Sequence, residues 1–194
     1  MGVFVLYVAV GMRCLLGIVF LASSLSKTAG RGRFSAFAAS VRAMDVVPTG
    51  HVRTVAAAVV ATEYTAWMLL VLAPAPGFAL AGGLLVAFTA AVTGALRRGV
   101  YAPCQCFGTS ARPLGRGHVL RNALLALGAA VGATAELLPA AAGSPQPAGV
   151  AAAVLVGMCA AGVIVLLDDL LELFRPLRTG RPGEPRRPAR LPVR

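Results

Sequence analysis

Two cysteines stand one residue apart in Tyr101-Ala102-Pro103-Cys104-Gln105-Cys106-Phe107-Gly108, and they are the residues of this sequence best suited to chemistry. Thiols at this spacing can join in a disulfide, but the ring is very small and the bond is held off its preferred torsion. Such a bond is readily reduced, and labile disulfides are the catalytic or regulatory ones, so the pair suits thiol-disulfide exchange better than stapling a fold. Nearby arginines and His118 favour the thiolate, the form that attacks a disulfide. Two other readings stay open. The cysteines can be ordinary loop residues, or Cys104, Cys106, His118 and His51 can supply a tetrahedral zinc site, although structural zinc pairs usually have at least two intervening residues.

The long apolar stretches hold further candidates. Arg13 lies near the middle of the first and Glu63 near the middle of the second. Antiparallel helices bring them to similar depth, which predicts an intramembrane ion pair, because an isolated charge at mid-bilayer costs at least about 2.5 to 3.5 kcal/mol. The pair reads first as a lock between two helices, with a proton or quinone site as the alternative. Cys14 and Cys159 fall at mid-membrane in the first and fifth stretches. They read as small apolar core residues, or as a second redox pair if those helices touch.

The elements that must position these residues are membrane helices. The 194 residues are 58% hydrophobic and only 13% charged, far from the roughly 25% charged of a soluble domain. Five stretches have the length and composition to cross a bilayer: Val3 to Leu25, Val55 to Ala73, Phe78 to Leu96, Val119 to Leu138 and Ala148 to Leu167. The first has no basic residue ahead of it and no persuasive cleavage site, so it reads as a retained helix rather than a signal peptide. The expected fold is an all-α polytopic bundle over residues 1–175.

A net charge of +11 would suggest nucleic acid in a soluble protein, but seventeen of the eighteen Lys and Arg fall in three clusters, the pattern of a membrane protein. Lys27 to Arg53, Arg97 to Arg121 and the tail from Arg175 carry them, whereas Pro74 to Gly77 and Pro139 to Pro147 carry none. The positive-inside rule then puts the N-terminus outside, and the cysteine loop and C-terminus in the cytoplasm. The partner implied by this pattern is the lipid bilayer, not nucleic acid.

Between the first two spans, Phe34, Phe37, Ala38, Val41 and Met44 space out a short amphipathic helix within Gly30 to Val47. It is expected to lie along the headgroups with its phenylalanines in the acyl boundary. Pro103, Gly108, Pro113, Gly115 and Gly117 favour turns in the cysteine loop. The Pro- and Arg-rich tail, 176–194, is expected to be disordered. Gly128 and Gly132 make a small-xxx-small pattern best used for packing within the chain. No motif points to haem, flavin or nucleotide, and a quinone between the helices would answer the need for an electron sink without a motif of its own.

The run Cys104-Gln105-Cys106-Phe107-Gly108, followed by His118 and Arg121-Asn122 at the start of a helix, resembles the methylamine utilisation protein MauE family, close to the DoxX-like membrane proteins. Arg13-Cys14-Leu15-Leu16-Gly17-Ile18-Val19-Phe20, with Lys27 beyond it and Pro48 further on, is similar to the start of that broader group. The resemblance covers roughly Arg13 to Leu138 and implies a four-helix core, with the fifth span and tail added. It also implies work on the maturation of the disulfide-rich small subunit of methylamine dehydrogenase, alongside a thioredoxin-like partner. A client outside the membrane would require an outward-facing pair, in conflict with the arginine distribution. The expected function is therefore a membrane thiol-disulfide redox component using Cys104 and Cys106, supported by His118 and Arg121. Its partner is a thioredoxin-like protein or cysteine-rich client, and a non-catalytic scaffold for a secreted redox protein is the alternative.

Overall fold

The computed structural model describes residues 2–100, 103–104, 112–113, 115–138 and 145–173. Helix α1 runs Gly2–Thr28 and α2 Arg33–Ala43; a single 3-10 turn, Thr49–His51, leads into α3, Val52–Leu72. Then come α4 Pro74–Arg97, the two-residue strands β1 Pro103–Cys104 and β2 Arg112–Pro113, α5 Arg116–Leu137 and α6 Pro147–Leu173. Five of the helices are long and apolar enough to span a membrane, with mean hydropathy between 1.2 and 2.5. This is the expected polytopic all-α bundle, and its outer faces carry Leu72, Val86, Leu127 and Val156, the surface a bilayer solvates.

Helices α1, α3, α4 and α5 form the four-helix core, each packed on its neighbours. Leu16, Ala66, Leu70, Phe78, Leu125 and Ala129 fill its centre. Ala73 alone joins α3 to α4, where Pro74 starts the new helix at no cost because its missing N–H would have had no partner in the first turn. Lipid gives helices no hydrophobic drive to associate, so close backbone approach matters. Gly132 of α5 supplies it: a Cβ there would run into the Phe78 ring of α4. Gly128 faces Met12 of α1, so both glycines of the small-residue pattern serve packing within the chain.

Helix α6 lies outside this core, against α1. Gly149 meets Tyr7, Ala153 meets Gly11, and Gly157 meets Gly11 and Cys14, so the two helices run parallel. That direction agrees with five alternating spans. It also corrects the redox alternative for Cys14 and Cys159: both are free thiols, and Cys159 is exposed. Two residues from both Gly157 and the buried Ala161, it lies on the opposite side of α6 from α1.

Helix α2 corrects a second expectation. Its apolar side does not dip into lipid; Phe37, Ala38 and Val41 pack against Val52, Ala56 and Val60 at the start of α3. Phe37 is fully buried because α1 ends while α3 continues past it, and α2 fills the ledge this leaves. At its far end the Arg98 Nη2 donates to the Met44 carbonyl at 3.0 Å, tying α2 to the end of α4. Met44, Val92 and Ala95, with Val119 against them, close that end of the bundle.

Candidate functional site: a buried charge cluster at the cysteine-bearing end

The connection between α4 and α5 carries the cysteine motif. β1 and β2 pair antiparallel, with Pro103 opposite Pro113 and Cys104 opposite Arg112, and β1 rests against α2. Cys106 lies outside the described residues, as does the tail expected from 176 onward. His118 is half-buried in the first turn of α5, its N–H donating to the Gly115 carbonyl at 3.1 Å. His51 stands in the turn before α3, and among the described residues no group of three metal-ligating side chains comes together.

At the same end, inside the bundle, lies a set of polar residues that sequence reasoning placed elsewhere. Lys27, in the last turn of α1, is 1% exposed, and its Nζ donates to Glu63 Oε1 at 2.8 Å and Oε2 at 2.9 Å. Ser23, one turn earlier on α1, donates through Oγ to the same carboxylate at 3.1 Å. The Phe37 ring of α2 sits 5.0 Å from the Lys27 ammonium, a cation–π contact that lids the pair. Arg121 and Asn122, in the second turn of α5, are also buried, and the Arg121 charge acts on Lys27. Three helices, α1, α3 and α5, thus bring two cations, one carboxylate and two neutral polar side chains to one place, and α2 covers them with Phe37.

The partner expected for Glu63 was Arg13, and the structure replaces it with Lys27. Arg13 instead donates to the backbone carbonyl of Val71, in the last turn of α3. The reason is a sliding of α1 along α3: the middle of α1 sits opposite the end of α3, so the residue that reaches the middle of α3 comes from the last turn of α1. In the sequence, Lys27 is simply the first member of the first basic cluster. The signal available for it was the i, i+4 pairing of Ser23 with Lys27, which places both on one helix face. Ser24 on the neighbouring position is satisfied by the Phe20 carbonyl at 2.7 Å and takes no part.

Beside Glu63 is a cavity of about 30 Å³ lined by Phe20 and Ser23 of α1, Leu85 and Phe88 of α4, and Asn122 of α5. It has room for a water or two, with Ser23, Glu63 and Asn122 as polar partners. A carboxylate held by an ammonium and a hydroxyl, next to such a space, can hold or pass a proton. As a plain lock it also ties α1 to α3. Tyr64 adds a second tie, its hydroxyl 2.8 Å from Thr28 Oγ1.

No curated protein matches the chain, and no solved structure does. A family model does match, over residues 5–135, from the first turn of α1 through all but the last two residues of α5, so that it includes nearly all of the four-helix core, with α2 and the cysteine motif but not α6. With more than half of its length inside that match, the chain belongs to the family of the methylamine utilisation protein MauE.

Proposed function

We propose that this membrane protein is a thiol-disulfide exchange component whose reacting groups are Cys104 and Cys106, serving a thioredoxin-like protein or a cysteine-rich client. Family membership associates the chain with methylamine utilisation; the exchange chemistry is inferred from the thiols. One thiolate attacks a client disulfide, displacing one client sulfur and forming a mixed disulfide, and the second cysteine displaces the other client sulfur as it closes the Cys104–Cys106 bond. The observation that carries the reading is the setting of the motif. Cys104 is held on a short ladder between α2 and β2, at a closed bundle end. The register sets a cationic residue type, Arg112, across from the first cysteine, and cationic surroundings favour the thiolate. The cluster of Lys27, Glu63 and Arg121 sits within the same end.

Orientation follows from charge. With Lys27 and Arg121 buried, Arg31, Arg42, Arg53 and Arg98 still crowd the cysteine-bearing end with exposed or partly exposed side chains, and the Ala73–Pro74 turn at the other end has none. The positive-inside rule then sets the cysteines on the cytoplasmic side.

Single Cys104→Ser and Cys106→Ser variants test the exchange reading. The variant that keeps the attacking thiol should trap a mixed disulfide with the client, visible on a non-reducing gel, and the double variant should trap nothing. Full client maturation in both single variants would leave a scaffold role in its place.

A further inference from the structure

The lipid-facing edge between α4 and α5 holds a space that neither the core nor the charge cluster uses. Toward the Ala73–Pro74 end the two helices are tight on each other: a Cβ at Gly132 would run into the Phe78 ring, and one at Gly82 would stand 3.5 Å from the Ala129 methyl. From Val86 onward small side chains face this edge, Ala90, Thr93 and Gly94 on α4 and Ala123 and Ala126 on α5, and they leave a groove of about 560 Å³ open to the bilayer. Along α4 it runs from Val86 to Arg97, eleven residues, and on α5 Ala126 lies ten residues from the helix start at Arg116. At 1.5 Å per residue both walls are about 15 to 16 Å long, half of a hydrocarbon core of about 30 Å. The groove therefore has the length of one leaflet, with its inner end at mid-bilayer and its mouth at the headgroups of the cysteine-bearing end.

That mouth is cationic. Arg97 lines it from the last turn of α4, exposed and outside any salt bridge among the described residues. Arg98 stands beside it: its Nη1 would be 3.5 Å from a Cβ at Gly94, while its Nη2 is held by the Met44 carbonyl. Neither the groove nor the connection that follows can neutralise these charges, because the sequence carries no Asp or Glu between Glu63 and Glu136. Asp45, next to Met44, makes no salt bridge among the described residues. Helix α6, whose last turns bear Asp168, Asp169 and Glu172, packs on α1, and every residue lining the groove comes from α4 or α5. Thr93, one turn or about 6 Å further in, sets a hydroxyl between the arginine and the apolar stretch of Ala90 and Val86. Guanidinium, hydroxyl and hydrocarbon follow in the order of a phospholipid's phosphate, ester carbonyls and acyl chain. A second copy of this chain is the rival occupant. Inserted in the same orientation, it would bring its own Arg97 and Arg98 to the same depth, like charge against like, whereas an anionic lipid matches the charge it meets.

We propose that this groove is a binding site for an anionic phospholipid, its phosphate on Arg97, its ester region at Thr93 and one acyl chain running along Ala90 and Ala123 to Val86 and Ala126. The lipid belongs to the leaflet at the cysteine-bearing end; only the naming of that leaflet as cytoplasmic rests on the orientation argued above, and the exchange chemistry is not needed. The cytoplasmic leaflet carries the negative surface potential, and basic pockets between helices on that side collect anionic headgroups. A lipid in the groove spans α4 and α5, the two helices that the cysteine-bearing connection joins, and so braces the mounting of the β1–β2 ladder.

The test titrates the full-length protein in detergent with dioleoyl phosphatidylglycerol, and with dioleoyl phosphatidylcholine as the comparison, and reads bound lipid by native mass spectrometry. Wild type is set beside Arg97→Gln, Ala90→Phe and Arg53→Gln. All three positions are exposed, so no change reaches the core, and Arg53 sits in the first turn of α3 at the same end but outside the groove. Wild type should bind one phosphatidylglycerol about tenfold or more tighter than phosphatidylcholine, the order of factor a hydrogen bond to a charged group carries. Arg97→Gln should lose about that factor, and Ala90→Phe should weaken both lipids by filling the groove. Arg53→Gln, which removes the same charge elsewhere, should change neither. Equal affinity of wild type for the two lipids overturns the site, and so does an equal loss in Arg97→Gln and Arg53→Gln, which would mark a diffuse basic surface. Displacement of the lipid by excess inorganic phosphate would leave a bare anion site and overturn the lipid as ligand. Dimers that Ala90→Phe abolishes and phosphatidylglycerol does not disperse would give the groove to a second copy instead.

Discussion

The Lys27–Glu63 pair is buried at both ends, and a buried pair is more sensitive to losing one member than to losing both. Lys27→Met or Glu63→Gln leaves the other charge without its counterion, which should cost about 3–5 kcal/mol. Replacing both, Lys27→Met with Glu63→Leu, should recover most of that, read as the midpoint of thermal unfolding in detergent. Arg13→Leu abandons only one backbone acceptor, Val71, at a cost nearer 1–3 kcal/mol. The pair also separates two roles. If Glu63→Gln loses stability but keeps exchange activity, the carboxylate is a lock; if activity falls in a fully folded variant, the proton site beside the cavity is in use. The chemistry-bearing residue types were readable at this scale, but the pairing was not. Partners across an antiparallel contact depend on how far one helix slides along the other, and Arg13 and Lys27 are about four turns apart on the same helix.

Helix contacts decide which small residues matter. Gly132→Ala drives a methyl into the Phe78 ring and should destabilise by about 1–3 kcal/mol, net of the better helix propensity of alanine. Gly83→Ala meets nothing within 4 Å and should be neutral or mildly stabilising by the same thermal measurement. The amphipathic pattern of α2 was legible as a helix, but what its apolar side faces was not. An apolar stripe packs equally well on lipid or on protein, and only the ledge beyond the end of α1 decides for protein. Phe37→Ala therefore tests packing and the lid on Lys27 together. A loss of about 3–5 kcal/mol is expected, where a lipid-facing phenylalanine would lose little.

For the molecule as a whole, the four-helix core carries the candidate chemistry and α6 packs outside it, on α1. A chain ending after Leu138 keeps every described member of the charge cluster and the ladder that holds Cys104. It should retain exchange with a thioredoxin-like protein, read as the mixed disulfide trapped by a single Cys104→Ser or Cys106→Ser variant of the shortened chain. Membrane-impermeant maleimide should label Cys104 and Cys106 only after cell lysis. Labelling of intact cells would reverse the orientation inferred from the arginines and favour an external client.

Long uncharged runs, a basic bias confined to alternate connections and the Cys104-Gln105-Cys106 motif determined, from the sequence alone, a multi-pass helical membrane protein and its family. Those features are local: each is a property of twenty residues or fewer, and the absence of water in the bilayer makes them nearly sufficient for the helices themselves. The tertiary structure decided what touches what. It set Lys27 rather than Arg13 on Glu63, kept Cys159 away from Cys14, seated α2 on α3, and left a groove beside Arg97. Each of these depends on helix offset and rotation, which close packing of side chains from distant parts of the chain selects and no single segment encodes.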